Sequence, residues 1–215
     1  MSDARERACI PRVVVLDYGS GNLRSAERAL ARAGADVAVT ADLGAAADAD
    51  ALVVPGVGAY AACIAGLEEL GAGRVIADRV AAGRPVLGIC VGMQVLFDRG
   101  EEHGVVTKGL GLLPGEVRRL NAERVPHMGW NVVDPPPESA LFAGVPAGTR
   151  FYFVHSYAVH HDAATETAGM VTTAVHGEPF VAAVEHDRLW ATQFHPEKSG
   201  EAGAALLANW VGTLR

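Results

Sequence analysis

A thiol framed by two glycines, Gly88-Ile89-Cys90-Val91-Gly92, offers a nucleophile. The G-x-C-x-G pattern falls where the apolar run from Pro85 to Ile89 gives way to helix-compatible residues, so Cys90 sits at a strand-to-helix junction. The glycines leave room for a sharp turn, and the amides of a helix starting there favour a thiolate. A small cysteine packed beside a glycine-rich turn fits the same pattern, and the junction alone balances the two readings. A thiol nucleophile also needs a base. Of the eight histidines, His195 stands out in Gln193-Phe194-His195-Pro196-Glu197-Lys198-Ser199, directly after the last apolar strand. Glu197 lies two residues on, so both side chains can face one side of an extended chain. A carboxylate there accepts from one ring nitrogen and leaves the other for the thiol. By itself, a surface turn is the simpler account of His-Pro-Glu.

Pro55-Gly56-Val57-Gly58 is the third candidate string. A glycine-rich turn after a parallel strand presents backbone N–H groups to a phosphate or an oxyanion. No Lys-Ser or Lys-Thr follows, which excludes a P-loop. His103, His160, His161, His176 and His186 stand in polar neighbourhoods and are expected in solvent, whereas His127 and His155 lie in richer contexts. Adjacent His160 and His161 would point opposite ways on a strand and make a poor metal pair. No metal and no cofactor is expected.

These strings need a scaffold. Arg12 to Asp17, Asp36 to Thr40, Ala51 to Val54 and Pro85 to Ile89 predict strands, mostly continuous and apolar. Leu23 to Ala33, Ala59 to Leu70, Arg74 to Ala82 and Val91 to Phe97 predict helices between or after them. That alternation implies a parallel sheet covered on both faces. The second half predicts strands over 116–120, 150–159, 170–175, 181–185 and 189–194, a hairpin turn at His186-Asp187-Arg188, and a closing helix over 200–214. The expected architecture is one α/β domain with an antiparallel extension.

The chain has 215 residues, half of them apolar and a fifth charged, with a net charge of −7. No block of Lys and Arg suggests nucleic-acid binding. No uncharged stretch reaches the roughly 20 apolar residues of a membrane span. Three widely spaced cysteines, Cys9, Cys63 and Cys90, indicate neither a disulfide framework nor a zinc site. A cytoplasmic location, with no membrane partner, is expected.

Together GICVGMQ, QFHPEKS and PGVG resemble the class I (triad-type) glutamine amidotransferases, over a spacing that runs from Asp17 to Ser199. LDYGSGNLRS at 16–25, PGVGAY at 55–60, PHMGWN at 126–131 and YFVHSY at 152–157 are similar to one branch of that family. Its members supply ammonia to a (β/α)8-barrel cyclase in histidine biosynthesis. Other branches usually carry PGG at the turn and lack HMGWN. The resemblance implies a flavodoxin-like three-layer α/β fold, with a mainly parallel central sheet flanked by helices and an antiparallel extension in the C-terminal half.

It also implies roles. Cys90 would attack the side-chain amide of L-glutamine. His195 would protonate the departing ammonia and then activate water against the γ-glutamyl thioester, with Glu197 orienting His195. The N–H of Val91 and that of Val57 or Gly58 would hold the oxyanion, the PGVG peptide needing reorientation first. Gln94 and the backbone of Ser156 and Tyr157 would hold the amino and carboxylate groups of the substrate. Asn22, Trp130, Tyr152 and Lys198 match positions facing the cyclase in a heterodimer whose barrel conducts ammonia. For Trp130 a core position is an equal alternative, and for Lys198 a solvated lysine. Tyr60 stands where phenylalanine or histidine is frequent and is expected to affect packing only. Residues 1–11 are an untypical extension, expected to be disordered, before a single domain over 12–215. Another cysteine hydrolase on this scaffold, such as a γ-glutamyl peptidase, and a non-catalytic binding subunit remain alternatives.

Overall fold

The computed structural model describes residues 10–214. Apolar runs in the first half build the centre of the fold. They are β1 (Arg12–Leu16), α1 (Leu23–Arg32), β2 (Asp36–Thr40), α2 (Leu43–Asp48), β3 (Ala51–Gly56), α3 (Tyr60–Leu70), α4 (Ala72–Ala81) and β4 (Val86–Cys90). Every residue of β3 and β4 is buried, as their unbroken hydrophobicity requires in a sheet covered on both faces. Nine of the eleven residues of the untypical extension lie outside the described residues; its last, Pro11, is buried and its carbonyl accepts from Asp36 N–H at 2.9 Å. No helix among the described residues is long and apolar enough to cross a membrane.

The second half adds α5 (Val91–Gln94), β5 (Phe97–Glu102), β6 (Val105–Lys108), β7 (Leu113–Arg119), β8 (His127–Val132), β9 (Arg150–His155), β10 (Tyr157–Val159), β11 (Met170–His176), β12 (Glu178–His186), β13 (Leu189–Thr192) and α6 (Gly200–Gly212). The main sheet has seven strands in the order β11-β12-β13-β4-β3-β1-β2. From β13 to β2 neighbours are parallel, and β11 and β12 form the antiparallel extension. Helices α1 and α6 pack against each other, and α2 and α3 each pack on α4. A second sheet, β10-β7-β5-β6, and the β8–β9 hairpin lie outside this layer.

Two expectations change, and residues 41–50, an Ala/Asp-rich stretch for which no element was expected, gain a helix. The helix expected over Val91–Phe97 is a single turn, because Leu110, Leu112 and Gly111 donate to the carbonyls of Val95, Leu96 and Phe97 and draw the chain into a strand. The strand expected over 150–159 breaks at Ser156, with β9 pairing to β8 and β10 to β7. The Ala/Asp-rich stretch that gave no prediction forms α2, where Asp42 accepts from the N–H groups of Gly44 and Ala45.

The sheet brings the candidate strings together. β3, β4 and β13 are adjacent and parallel, so Gly56, Cys90 and Thr192 end at one edge of the sheet. The backbone there is in contact without side chains between: a Cβ on Gly92 would lie 1.9 Å from Val54 O, and one on Gly203 of α6 would lie 1.9 Å from Pro196 O. Each glycine lets one half of the site approach its support. Gly92→Ala must therefore displace β3 or the turn after β4, and is expected to cost about 3 kcal/mol or more of stability, read from chemical denaturation. A loss below ~1 kcal/mol would show that this approach is not structurally required.

Candidate active site

Cys90 adopts φ 57° and ψ −116°, a conformation that a non-glycine residue enters only under constraint. The residue is only 3% exposed. The strand-to-helix turn is present as expected, but α5 is four residues long, so what it contributes is local amides and little macrodipole. Cys63 is also a buried free thiol, and its burial pushes its pKa up.

His195 and Glu197 are joined by a 2.7 Å hydrogen bond from Nδ1 to Oε1. Both side chains are almost fully buried. The two-residue spacing works through a 3-10 turn over Pro196–Lys198, not along an extended strand. The turn is pinned from behind. Ser199 Oγ donates to His195 O at 2.7 Å and accepts from Tyr152 N–H at 3.0 Å, while His195 N–H donates to Tyr152 O at 3.0 Å. A carboxylate acceptor places the proton on Nδ1, so Nε2 is the free nitrogen. It is buried and has no hydrogen-bond partner among the described residues. Burial works against a charged ring here, but the Cys90 sulfur and the Glu197 carboxylate outweigh it and raise the His195 pKa to about 9.

A cavity of about 210 Å³ opens beside the sulfur, lined by Cys90, Val91, Val57, Gly58, Gln94 and Tyr157 among others. The structure thus gathers the expected nucleophile, oxyanion and substrate residues. Ser156 neighbours the cavity in sequence and is half-buried. The sequence reading passed over Glu102 and gave Tyr60 a packing role; both line the cavity. Glu102 is the one acidic side chain in the lining, and the buried Tyr60 also contributes to it. Glu102 accepts from Tyr60 N–H at 3.0 Å. Its only signal was an acidic pair at the end of a segment that becomes a strand.

The PGVG turn does not face the thiol with its Val57 amide. Val57 N–H donates to Ser20 Oγ at 3.1 Å, and the same hydroxyl donates to Val57 O at 2.9 Å. Ser20 lies in the turn after β1 and so clamps Val57 on both sides. The Val91 N–H starts α5 beside the cavity.

Trp130 is 53% exposed, which removes the core reading. Its ring meets Tyr152 edge to face at 6.0 Å across the β8–β9 pair. Asn22 and Lys198 are exposed. Met128, two residues before Trp130 on the same strand face, is also exposed.

His127 and His155 form a buried pair. His155 Nδ1 lies 2.9 Å from Tyr157 O, so that nitrogen carries the proton and Nε2 accepts from His127 Nδ1 at 2.9 Å. His127 Nε2 then accepts from Asn131 Nδ2 at 3.3 Å. His176, expected in solvent, stacks on His127 at 4.2 Å and donates from Nε2 to Arg124 O. Burial lowers the His155 pKa to about 3 and that of His127 to about 4, His176 adding to both shifts.

A family profile described as "Glutamine amidotransferase class-I" matches residues 14–213. The chain is 63% identical over 209 residues to "Imidazole glycerol phosphate synthase subunit HisH" of Thermobifida fusca, covering 95% of this chain and 99% of that relative. It is 62% identical over 214 residues to the protein of the same description from Streptomyces avermitilis, covering 97% and 100%. Among solved structures, PurLQS from Thermotoga maritima superposes with a TM-score of 0.70 at 19% identity, covering 96% of this chain and 100% of that one. A crystal structure described as a glutamine amidotransferase does so with 0.69 at 22%, covering 93% and 98%. These two likenesses establish the fold.

The histidine pair has a measurable consequence. Both pKa values are lowered on folding, so below about 6.5 the unfolded chain binds protons that the native pair refuses. Stability should fall as pH drops from about 6.5 to 5. The His195 shift has the opposite sign: its contribution is complete below about 6.5 and fades as pH rises through about 9. Thermal unfolding at pH 5 and 7 should show a clear loss in the wild type and a smaller one in His127→Leu. Equal losses in the two proteins would remove His127 from this role.

Proposed function

The chain belongs to the class-I glutamine amidotransferases, and from that premise we propose that it is the glutaminase subunit of an imidazole glycerol phosphate synthase in histidine biosynthesis. The observation that carries the chemistry is one sheet edge holding a strained, glycine-framed thiol and a buried His–Glu pair whose free nitrogen is unpartnered. The Cys90 thiol passes its proton to His195 Nε2 and its sulfur attacks the γ-amide carbon of L-glutamine; the carbonyl electron pair moves to oxygen and returns as the C–N bond breaks. Ammonia leaves poorly as an anion, so protonated His195 delivers a proton as the C–N bond breaks. A raised His195 pKa suits that acid role. Neutral His195 then takes a proton from water, whose oxygen attacks the thioester. The C–S electron pair returns to sulfur and glutamate departs. Glu197 holds the ring in one tautomer throughout. Gln94, Glu102 and the backbone of Ser156 and Tyr157 read the amino-acid end of the substrate; the Glu102 carboxylate suits its ammonium.

Val91 and the PGVG turn supply the oxyanion donors. With Val57 held by Ser20, the turn must rotate before it donates, and that makes the turn the point of control. The partner is a (β/α)8-barrel cyclase, met through Asn22, Trp130, Tyr152 and Lys198 in a heterodimer. Ammonia passes through the barrel, which keeps it from being protonated in water. The cyclase uses it to form imidazole glycerol phosphate and the aminoimidazole carboxamide ribonucleotide from the phosphoribulosyl formimino intermediate. We place this reaction in the cytoplasm, where free thiols persist.

Ammonia release from L-glutamine, with and without the cyclase and its ribonucleotide substrate, tests this reading. A missing oxyanion donor costs on the order of 100- to 1000-fold, so the isolated chain should be slower by about that factor. Full activity from the chain alone would favour a stand-alone hydrolase. Cys90→Ala should abolish release; an active variant would overturn the triad, and an inactive wild-type complex would favour a binding subunit. Ser20→Ala removes both Ser20 hydrogen bonds to Val57 and should raise the partner-free rate by up to about 30-fold, two hydrogen bonds of ~1 kcal/mol each being lost. An unchanged partner-free rate would show that Ser20 does not restrain the turn.

A further inference from the structure

Gln193 is wholly buried and is neither a triad member nor part of the cavity wall. Its backbone is pinned by donation from its N–H to Ala182 O at 2.8 Å. Its side chain bridges two residues of the site. Gln94 Nε2 donates to Gln193 Oε1 at 2.9 Å, and Gln193 Nε2 donates to Cys90 Sγ at 3.7 Å.

The direction of this bridge is set from one end. A main-chain oxygen only accepts, so the Gln94 atom 2.9 Å from Tyr157 O is the nitrogen. That nitrogen faces an oxygen of Gln193, which leaves the Gln193 nitrogen for the sulfur. No rotation of either amide preserves all three contacts. The Tyr157 carbonyl is itself held from its other side by His155, whose own proton position follows from the same oxygen.

We propose that Gln193 is a positioning residue for the nucleophile: an amide N–H, aimed by the Tyr157 carbonyl through Gln94, that fixes the Cys90 sulfur and supports its negative charge. A donor to sulfur favours thiolate over thiol because the bond to the anion is charge-assisted. It also serves a leaving sulfur, when the C–S bond of the second tetrahedral intermediate breaks and its electron pair returns to Sγ. That later role rests on the glutaminase reading; the effect on the free thiol does not.

The test therefore reads the thiol directly. The full chain is treated with iodoacetamide across a range of pH, and alkylation is followed by mass spectrometry on the peptide carrying Cys90, the chain having three cysteines. Gln193→Met keeps bulk and removes the donor; Gln193→Glu keeps shape and puts an anion beside the sulfur. At pH 7 the Met variant should react about fivefold more slowly. The Glu variant should be slower still. Both rate–pH profiles should move toward higher pH and rejoin the wild type in alkali. A merely structural residue would lower the melting temperature and change the rate equally at all pH values. If Gln193→Met does not fold, the isosteric Gln193→Glu decides alone. A folded variant with the wild-type profile overturns the proposal. Because no glutamine is involved, that result is separate from a failure of ammonia release.

Discussion

The backbone of β3 touches the turn that follows β4 with nothing between them. Gly92 leaves no room for a Cβ against Val54 O, and Gly56 would meet Gly92 N in the same way, at 2.4 Å. This contact dictates the rest of the site. It bends the chain sharply enough to put Cys90 at positive φ, and it sets the PGVG turn directly beside the elbow. The strain at Cys90, of order 1–3 kcal/mol for such a conformation, is sustained by the fully buried strands on either side. The same device recurs on the other half, where Gly203 lets α6 press on the carbonyl of Pro196 and hold the His195–Glu197 turn in place.

A single carbonyl organises the polar atoms around the sulfur. Tyr157 O accepts from His155 on one side and from Gln94 on the other. Since the acceptor cannot change character, each group beyond it is left one arrangement. Asn131, His127 and His155 follow on one side, Gln94, Gln193 and the Cys90 sulfur on the other. The chain requires both imidazoles to be neutral, and burial keeps them so. Asn131 lies next to Trp130 on β8, so the strand that carries the exposed tryptophan is tied by hydrogen bonds to the Cys90 sulfur.

Much of this was legible in the residues. Continuous apolar runs announced the parallel core, because a strand buried on both faces has no polar alternate positions. The elbow by itself left a packed thiol equally open and His-Pro-Glu by itself read as a surface turn; their chemical reading came from the resemblance that joins the two strings. What stayed hidden depended on partners distant in sequence. α5 stops after one turn because residues 109–113 take the carbonyls that would have continued it. β8 was not anticipated: its alternating His127, Gly129 and Asn131 look polar, and His127 is buried only because Phe153 and His176 stack on it. Glu102 offered only its place in an acidic pair, since its position in the cavity wall depends on the pairing of β5 with β6 and on the Tyr60 N–H, 42 residues away. Gln193 sat inside the most informative string but was overshadowed by the histidine two residues on.

The two sides of the thiol are held by forces of different strength, and that difference assigns which part can move. The elbow is fixed by backbone contacts that cannot relax without shifting a core strand. The Val57 peptide is held by side-chain hydrogen bonds alone, from the half-buried Ser20 hydroxyl and from Cys63 Sγ, which lies 3.5 Å from Val57 O and 3.2 Å from Ser20 Oγ. Hydrogen bonds of that kind contribute about 1 kcal/mol each, whereas moving β3 would disrupt a fully buried strand. Any rearrangement that frees the Val57 N–H must therefore take place in the turn. It releases the Val57 N–H from Ser20 Oγ, while sulfur, imidazole and carboxylate stay where the sheet edge puts them.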